Sequence, residues 1–443
     1  MADALERAGL LGRGLLAGHS GGLDSTCLLR LVAAVASREG GRLEVAHVDH
    51  GLRPDSADDA RFCRDTADEL GLPFHLLELT PADFERGRSL QAEARRHRRA
   101  FFETTLASQG LDAVALAHHA DDQAETVLLK LVRGAGPRGL GGMAEWAPPY
   151  VRPLLSVRRA TLEALAGERG WAFREDPSNR GRRYLRNRVR LDVLPLLRNL
   201  NPRAEAALGR LARLCAEDDA WLSREASDAL EALGTREPEG LRLPVGGLER
   251  LGRPVRRRLW LAAWQAVGED PGVLQAHHVE AVEALLLPGR PQRRAALPGP
   301  GAFARCWDDV WVLGAAAAIG VGEPVRLPVP GRAALGVFGV EAVGGALRGG
   351  GPHVPVPPGR PVGPLVLRPR RPGDRLGRTK VKDVLMEARL PAWRRARTLV
   401  LEDGQGVLGL LGPGFAAGTP ESRQSPPAWA VWLEESGEKR WCP

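Results

Sequence analysis

Residues Leu15–Thr26 read LLAGHSGGLDST, an apolar run that leads into the glycine-rich segment Ser20–Ser25. A helical pattern of apolar residues follows from Thr26 onward. A strand, a glycine-rich loop and a helix in this order present backbone N–H groups at a helix N-terminus, where the dipole favours an anion. Two adjacent glycines let the backbone approach that anion closely. The segment therefore predicts a loop that holds the phosphates of a nucleotide.

The two most familiar phosphate-binding patterns do not fit this loop. The spacing GxxxxGKS/T of a Walker loop is absent, and no lysine lies nearby. The dinucleotide pattern GxGxxG is absent too. The string SGGxDS resembles the loop of the N-type ATP pyrophosphatases, which split ATP between its α and β phosphates and adenylate a substrate. A glycine-rich turn without a ligand is the alternative.

Composition limits the class of protein. The chain has 443 residues, 44% of them hydrophobic and 26% charged, which predicts a soluble protein of two or three domains. No apolar run of 18 residues and no signal-peptide pattern occurs, so we expect a cytoplasmic protein without a membrane partner. The five cysteines contain no CxxC pair, which argues against a zinc site or a disulfide framework. The net charge of +8 is compatible with a nucleic-acid partner.

The first 200 residues alternate between apolar runs and helical patterns. The predicted strands and the helices between them are Gly14–Ala17, Thr26–Arg38, Leu43–His47, Ala57–Glu69, Pro73–Leu79, Gln91–Leu106 and Ala113–His118. This alternation predicts an α/β fold with a doubly wound parallel sheet, for which we expect five strands. Ligands then bind beyond the carboxyl ends of the strands.

The remainder of the chain divides by pattern. We predict a catalytic domain over 1–203 and a mainly helical domain over 204–313, which ends in a short strand pair at Ala302–Leu313. A linker rich in Gly and Pro, with small β elements, follows over 314–364, and a small basic α+β domain over 365–430. From Leu365 to Arg397 there are eleven basic and three acidic residues, a balance that favours phosphate binding.

Polar clusters follow the second and fourth predicted strands, at His47–Arg53 and His118–Thr126. Asp122 and Glu125 are three residues apart, which places both carboxylates on one face of a helix's first turn. Such a pair can bind magnesium or a cationic substrate, and a capped helix start is the alternative. Further along, Arg186, Arg188 and Arg190 alternate, which suits phosphate binding or a solvated basic segment.

Together these clusters resemble the tRNA(Ile)-lysidine synthetase family. The strings that carry the resemblance are Ser20–Ser25, His47–Arg53, Glu93–Arg95, His118–Thr126, Arg133–Gly136, Arg138–Leu140, Glu175–Asn179 and Tyr184–Arg188. The basic block near Arg368–Leu390 is similar to the family's C-terminal domain. His19 departs from the small or branched residue expected before the loop serine.

The resemblance implies a two-step reaction. ATP, with Mg²⁺, adenylates carbon 2 of the wobble cytidine in the CAU anticodon of tRNA(Ile), and the ε-amine of free L-lysine then displaces AMP. This converts decoding of AUG to decoding of AUA. A homodimer is one option for the oligomeric state.

The resemblance also implies roles for individual residues. Asp24, Asp122 and Glu125 would be catalytic, and Asp24 would lie near the metal. The ATP site would comprise Ser20, Gly21, Gly22, Leu23, Asp24, Ser25, Arg95, Arg188 and Arg190. Lysine would be bound by Asp122, Glu125 and His119. The tRNA would be bound by Arg368, Arg370, Arg371, Arg375, Lys380 and Lys382. The alternatives are a tRNA thiolase with the same loop and a non-catalytic RNA-binding protein with a degenerate ATP site.

Overall fold

A computed structural model describes residues 1–51, 56–84, 90–174, 185–289, 292–314, 323–335, 338–344, 352–357, 359–419 and 429–434. The chain divides into two compact units, Met1–Trp221 and Leu222–Pro443. None of the helices in these ranges combines the length and apolar character that crossing a membrane requires.

The first unit is built on one six-stranded sheet. Its strands are β1 (Leu15–Gly18), β2 (Leu43–Asp49), β3 (Phe74–Glu78), β4 (Ala113–Ala115), β5 (Trp146–Ala147) and β6 (Tyr150–Val151). The strand order is β3-β2-β1-β4-β6-β5. All neighbours pair in parallel except β5, which pairs antiparallel with β6 at the edge. The predicted parallel sheet of five strands is confirmed, with one short antiparallel strand added.

Helices cover both faces of this sheet. They are α1 (Ala2–Arg7), α2 (Leu23–Glu39), α3 (Ser56–Glu69), α4 (Leu90–Gln109), α5 (Ala120–Val132), α6 (Pro137–Leu140), α7 (Arg159–Arg169), α8 (Leu185–Arg188), α9 (Leu194–Leu200) and α10 (Ala204–Leu233), which extends past the end of the unit. Leu28 of α2 and Leu162 of α7 lie in the core of one face. Phe102 of α4 packs against Leu16 and Tyr150 on the other. A single π-helical turn, Val189–Val193, joins α8 to α9.

The second unit begins with an antiparallel sheet and three helices. The strands, β7 (Thr235–Glu237), β8 (Gly240–Pro244), β9 (Gln292–Arg294), β10 (Ala302–Cys306) and β11 (Asp309–Leu313), pair in the order β7-β8-β11-β10-β9, and the helices are α11 (Val245–Arg250), α12 (Arg253–Ala266) and α13 (Ala276–Glu283). The predicted strand pair is confirmed as β10 and β11. The hairpin of β7 and β8 interrupts a stretch predicted to be helical. Leu241 and Leu243 are buried on either side of the partly exposed Arg242, which is a strand period.

The rest of this unit contains two further sheets on a shared core and a hairpin. The strands are β12 (Val325–Leu327), β13 (Gly331–Leu335), β14 (Phe338–Gly344), β15 (His353–Val356), β16 (Leu365–Pro369), β17 (Arg375–Leu376), β18 (Thr379–Lys380), β19 (Leu399–Asp403), β20 (Gly406–Gly412), β21 (Phe415–Gly418) and β22 (Trp429–Glu434), with helices α14 (Val381–Glu387) and α15 (Ala392–Ala396). The sheets run β12-β16-β19-β20-β21 and β13-β14-β22-β15. Strands β12–β15 belong to these sheets, although the sequence predicts a linker with small β elements there.

Candidate active site

The glycine-rich loop joins β1 to α2 at the carboxyl edge of the parallel sheet. Gly21 has φ of +79°, a left-handed conformation that favours glycine, and a Cβ there would lie 3.3 Å from the Phe62 ring. Gly22 is the extended residue before the helix. The N–H groups of the first turn of α2 have no side-chain cap. The loop therefore has the geometry predicted for phosphate binding.

Ser25 fixes the shape of this loop from inside. Its hydroxyl donates to the Gly22 carbonyl at 2.9 Å and accepts from the Ser20 backbone N–H at 3.1 Å. The Ser20 hydroxyl lies 3.1 Å from the same oxygen. Ser25 is therefore a positioning residue for the loop, while the Ser20 side chain stays partly exposed beside it.

His19 lies buried directly beneath the loop. Its Nδ1 is 3.3 Å from Ser25 Oγ, and its carbonyl oxygen accepts from His47 Nδ1 at 2.8 Å. Because the Ser25 hydroxyl donates its one proton to Gly22, the His19 ring must donate from Nδ1. Burial, together with His47 and Arg30, lowers the pKa of His19 to about 3, so the ring is neutral.

His119 joins the loop to the start of α5. Its Nε2 lies 3.6 Å from an Asp24 oxygen and 3.3 Å from Asp122, and its Nδ1 lies 3.5 Å from Asp121. Burial opposes the charged form of His119, but these carboxylates outweigh it and raise its pKa to about 10. Burial also opposes the charged form of Asp121, yet His119 and the Arg159 N–H hold the pKa of Asp121 well below its usual range. The acidic residues therefore share one imidazolium.

Asp122 and Glu125 lie on one face of α5, as predicted, and both are buried. Arg186 donates to Glu125 at 2.7 Å and to Asp122 at 2.9 Å. Arg190, from the π-helical turn, also donates to Glu125, with a second contact of 3.2 Å. The two carboxylates that the sequence assigns to lysine thus bind two arginines of the chain itself. The sequence marks Arg186 only by the alternation of arginines and by the string Tyr184–Arg188, and neither predicts its pairing with carboxylates about sixty residues away.

A cavity of about 320 Å³ opens beside this cluster. Its lining carries both signs of charge: the acidic residues are Asp121, Glu125 and Glu163, and the basic residues include Arg158, Arg159 and Arg198. A site of this size and character suits a small zwitterion, whose carboxylate and ammonium groups need opposite partners.

Asp24 is the best-placed residue for a metal ion. Its Oδ1 is buried and accepts no hydrogen bond within the described chain, although Arg159 Nε lies 3.9 Å away. A carboxylate oxygen of this kind is a suitable Mg²⁺ ligand. The described residues contain no group of three or more His, Cys, Asp or Glu side chains able to hold a metal. Phosphate oxygens would have to complete the coordination.

The remaining predicted site residues lie at several places. Arg95 on α4 and Arg188 on α8 are exposed. The motif Glu175–Asn179, Tyr184 and Arg53 fall outside the residues that the structure describes.

In the basic block, Arg368 is only 4% exposed and binds Asp374 at 2.9 Å and Glu402 at 2.7 Å. These ion pairs connect Arg368 of β16 with Glu402 of β19 and with Asp374, which precedes β17. Little of the Arg368 side chain is available to a ligand. The other predicted tRNA-binding residues are exposed: Arg370, Arg371, Arg375, Lys380 and Lys382.

Comparison with known proteins identifies the family. Residues 5–197 match the family model of the PP-loop domain. The chain is 36% identical to tRNA(Ile)-lysidine synthase of Geobacter sulfurreducens over 89% of this chain and 87% of that protein. It is 31% identical to tRNA(Ile)-lysidine synthase of Geobacillus kaustophilus over 96% of this chain and 95% of that protein. This chain belongs to the tRNA(Ile)-lysidine synthase family. The match to that family confirms the resemblance seen in the motifs, and the PP-loop domain confirms the predicted fold class.

Proposed function

We propose that this chain forms lysidine in tRNA(Ile). ATP adenylates carbon 2 of the wobble cytidine of the CAU anticodon with release of pyrophosphate, and the ε-amine of free lysine then displaces AMP. The observation that carries this proposal is the intact phosphate loop beside a mixed-charge cavity. Relatives named tRNA(Ile)-lysidine synthase match over nearly the whole chain, which supports the same reaction.

The phosphate loop is the proposed site of the leaving pyrophosphate. Negative charge builds up on that group as the cytidine is adenylated, and the oriented N–H groups at the start of α2 stabilise it. The Ser20 side chain adds a hydroxyl donor at the mouth of the loop. Asp24 is the proposed protein ligand of Mg²⁺, which would screen the phosphate charge when bound. Arg188 and Arg190 are further candidates for ATP contacts.

The cavity beside α5 is the proposed lysine site. The lysine ammonium group would bind the carboxylates of Asp122 and Glu125 in place of the arginines, and His119 would hold Asp122 in position. Arg186 and Arg190 neutralise the pair until lysine arrives, because two buried carboxylates without a cation are costly. Glu125 or Asp122 would then accept a proton as the amine attacks.

The exposed cations of the C-terminal block are the proposed tRNA-binding surface. Arg371, Arg375 and Lys380 lie on or next to the hairpin of β17 and β18, with Lys382 at the start of α14. Such side chains neutralise phosphates without reading sequence. This surface would hold the body of the tRNA while the anticodon reacts elsewhere.

The decisive experiment follows labelled lysine. Purified protein is incubated with ATP, labelled lysine and an unmodified tRNA(Ile) transcript carrying the CAU anticodon. We expect label in the tRNA, with pyrophosphate and AMP released in equal amounts. A transcript with uridine at the wobble position should stay unlabelled. Absence of label while ATP binds would overturn the proposal, and tRNA binding without pyrophosphate release would favour the non-catalytic alternative.

The thiolase alternative finds little support in the three buried cysteines of the described residues. Burial raises the pKa of Cys27 to about 11 and that of Cys306 to about 12, so neither is a ready thiolate. Cys63 is also buried. Sulfur incorporation in place of lysine would nevertheless be seen in the same assay by mass analysis of the tRNA.

The lysine site is tested by Asp122→Asn. Losing one charged contact should raise the KM for lysine about 10- to 100-fold, since a hydrogen bond to a charged group contributes about 1.5–3 kcal/mol. ATP binding should change little. Glu217→Gln is the matched control, because Glu217 is an exposed carboxylate that pairs with Arg213 on α10. A large loss of ATP affinity with a normal KM for lysine would contradict the assignment.

A further inference from the structure

Helix α4 carries four arginines within the run Ala94–Ala100, and two of them are paired along the helix. Arg96 binds Glu93 at 2.9 Å, and Arg99 binds Glu103 at 2.8 Å. These are ordinary pairs between residues three or four apart on one helix. These two pairs neutralise Arg96 and Arg99 within the arginine-rich run.

Arg95 and Arg98 have no such partner. They are three residues apart, so their side chains leave the helix on the same face. Neither makes an ion pair with a carboxylate in the part of the chain that the structure describes. Like charges on one helix face repel each other, and each of these cations is exposed to solvent. Two neighbouring cations without a carboxylate partner would be stabilised by an anion from outside the chain.

A third arginine reaches the same place from the sheet. Phe102, one turn after Arg98, packs in one core cluster with Tyr150 of β6. Helix α4 runs antiparallel to the strands, so the turn before Phe102 lies toward their carboxyl edge. Arg152, two residues beyond Tyr150, lies at that edge as well. The topology therefore places Arg152 at the same edge of the sheet as the first turns of α4, which carry Arg95 and Arg98.

The surroundings of Arg152 agree with this placement. Its Nη1 donates to the Ala144 carbonyl at 2.9 Å, while its Nε is buried and has no hydrogen-bond partner among the described residues. Burial and the Arg95 charge lower the pKa of both Arg152 and Arg98. Arg98 keeps an exposed surface although protein atoms surround part of its side chain.

Two neutral histidines face the same edge. His50 follows β2 and His118 follows β4, and the Nδ1 atom of each is buried without a hydrogen-bond partner in the described chain. Burial and the Arg98 charge lower the pKa of both rings. The edge thus offers three arginines that form no ion pair with a carboxylate among the described residues, together with two imidazoles whose Nδ1 atoms lack a hydrogen-bond partner there.

We propose that Arg95, Arg98 and Arg152 form a subsite for the backbone phosphates of the RNA that flank the reacting cytidine. The neutral rings of His50 and His118 would then meet the ribose or base of that nucleotide. This subsite rests on the proposed function and deepens it by separating the RNA contacts from the ATP contacts. It assigns Arg95 to the RNA, although the family resemblance implies a place for Arg95 in the ATP site. The pyrophosphate already has its own donors at the loop. Arg95 and Arg98 are exposed, so a macromolecule can reach them.

The test measures binding of the unmodified tRNA(Ile) transcript by fluorescence anisotropy across a salt series, without ATP or lysine. We expect Arg98→Ala and Arg152→Ala each to weaken tRNA binding about tenfold or more. Each should also reduce the slope of log affinity against log salt by about 0.7–0.9, because one phosphate contact is lost. The KM for ATP should stay within about twofold of that of the unaltered chain. Arg98→Lys should restore most of the salt slope, since it keeps the charge.

Arg96→Ala and Arg99→Ala are matched controls from the same helix, whose arginines are already paired. They should bind tRNA like the unaltered chain. Equal weakening by these controls would overturn the subsite, as would an unchanged tRNA affinity in Arg98→Ala that keeps the unfolding temperature of the unaltered chain. A raised KM for ATP with normal tRNA binding would assign the arginines to the nucleotide instead. Because binding is measured without catalysis, a chain that adds no lysine would refute the proposed function but not this subsite.

Discussion

Replacing His119 with glutamine should destabilise the protein at pH 6 and have a much smaller effect at pH 10. The folded protein holds a proton on His119 because Asp24, Asp121 and Asp122 surround it, so its pKa is about 10 instead of 6.5. A raised pKa in the folded state contributes stability that is complete below pH 6.5. That contribution is lost as the pH rises toward 10, because the folded protein then gives up the proton.

The size of the effect follows from the shift in pKa. Each pKa unit corresponds to about 1.4 kcal/mol, so the interaction contributes up to about 5 kcal/mol at pH 6. His118, the adjacent residue, should show the opposite dependence. Burial lowers the pKa of His118 to about 4 in the folded protein. Below pH 6.5 the unfolded chain therefore binds a proton on this ring, whereas the folded chain does not. His118→Gln should therefore gain up to about 3 kcal/mol relative to the unaltered chain between pH 6.5 and 4.

Urea unfolding of the full chain at several pH values measures these differences, and NMR of the histidine Cε1 protons reports each protonation state directly. We expect the His119 signal to stay in its protonated position at pH 8. The His118 signal should stay in its neutral position at pH 5.5. The test concerns how the difference in unfolding free energy between each variant and the unaltered chain changes with pH. A difference that is the same at every pH arises from altered packing and does not report on the charges. Parallel titration of both rings near pH 6.5 would refute this account of the charges.

Three further predictions concern other parts of the molecule. His19→Val should raise the KM for ATP about 3- to 10-fold in steady-state kinetics, because it removes a buried donor to Ser25, whereas His19→Asn keeps a donor near Nδ1 and should retain most of the affinity. Arg368→Ala should lower the free energy of unfolding by about 3–5 kcal/mol in urea titrations, because it leaves Asp374 without its partner. Lys380→Ala should not change stability and should reduce the salt slope of tRNA binding by about one.

Much of the fold and the position of the site could be predicted from local pattern. The strand, loop and helix around Ser20–Ser25 lie within a few residues of their expected bounds, because a glycine-rich turn between a strand and a helix is encoded in adjacent residues. The shared face of Asp122 and Glu125 follows from helix geometry in the same way. The partners of these carboxylates were not predictable, because Arg186 meets them only after the chain has folded back. The domain boundaries and the homodimer stay predictions.

The two adjacent histidines show what the sequence leaves open and what the fold decides. Nothing in the string HHADD distinguishes the rings, yet His119 lies among carboxylates, whereas His118 is influenced by Arg98, Arg152 and Arg186 as well as Asp122. His118 therefore lies on the boundary between an acidic and a basic region of the same sheet edge. The proposed reaction joins a cationic amine to a polyanionic RNA, and each reactant needs surroundings of opposite charge. The cytidine that both must reach is best placed on that boundary, beside a histidine that stays neutral.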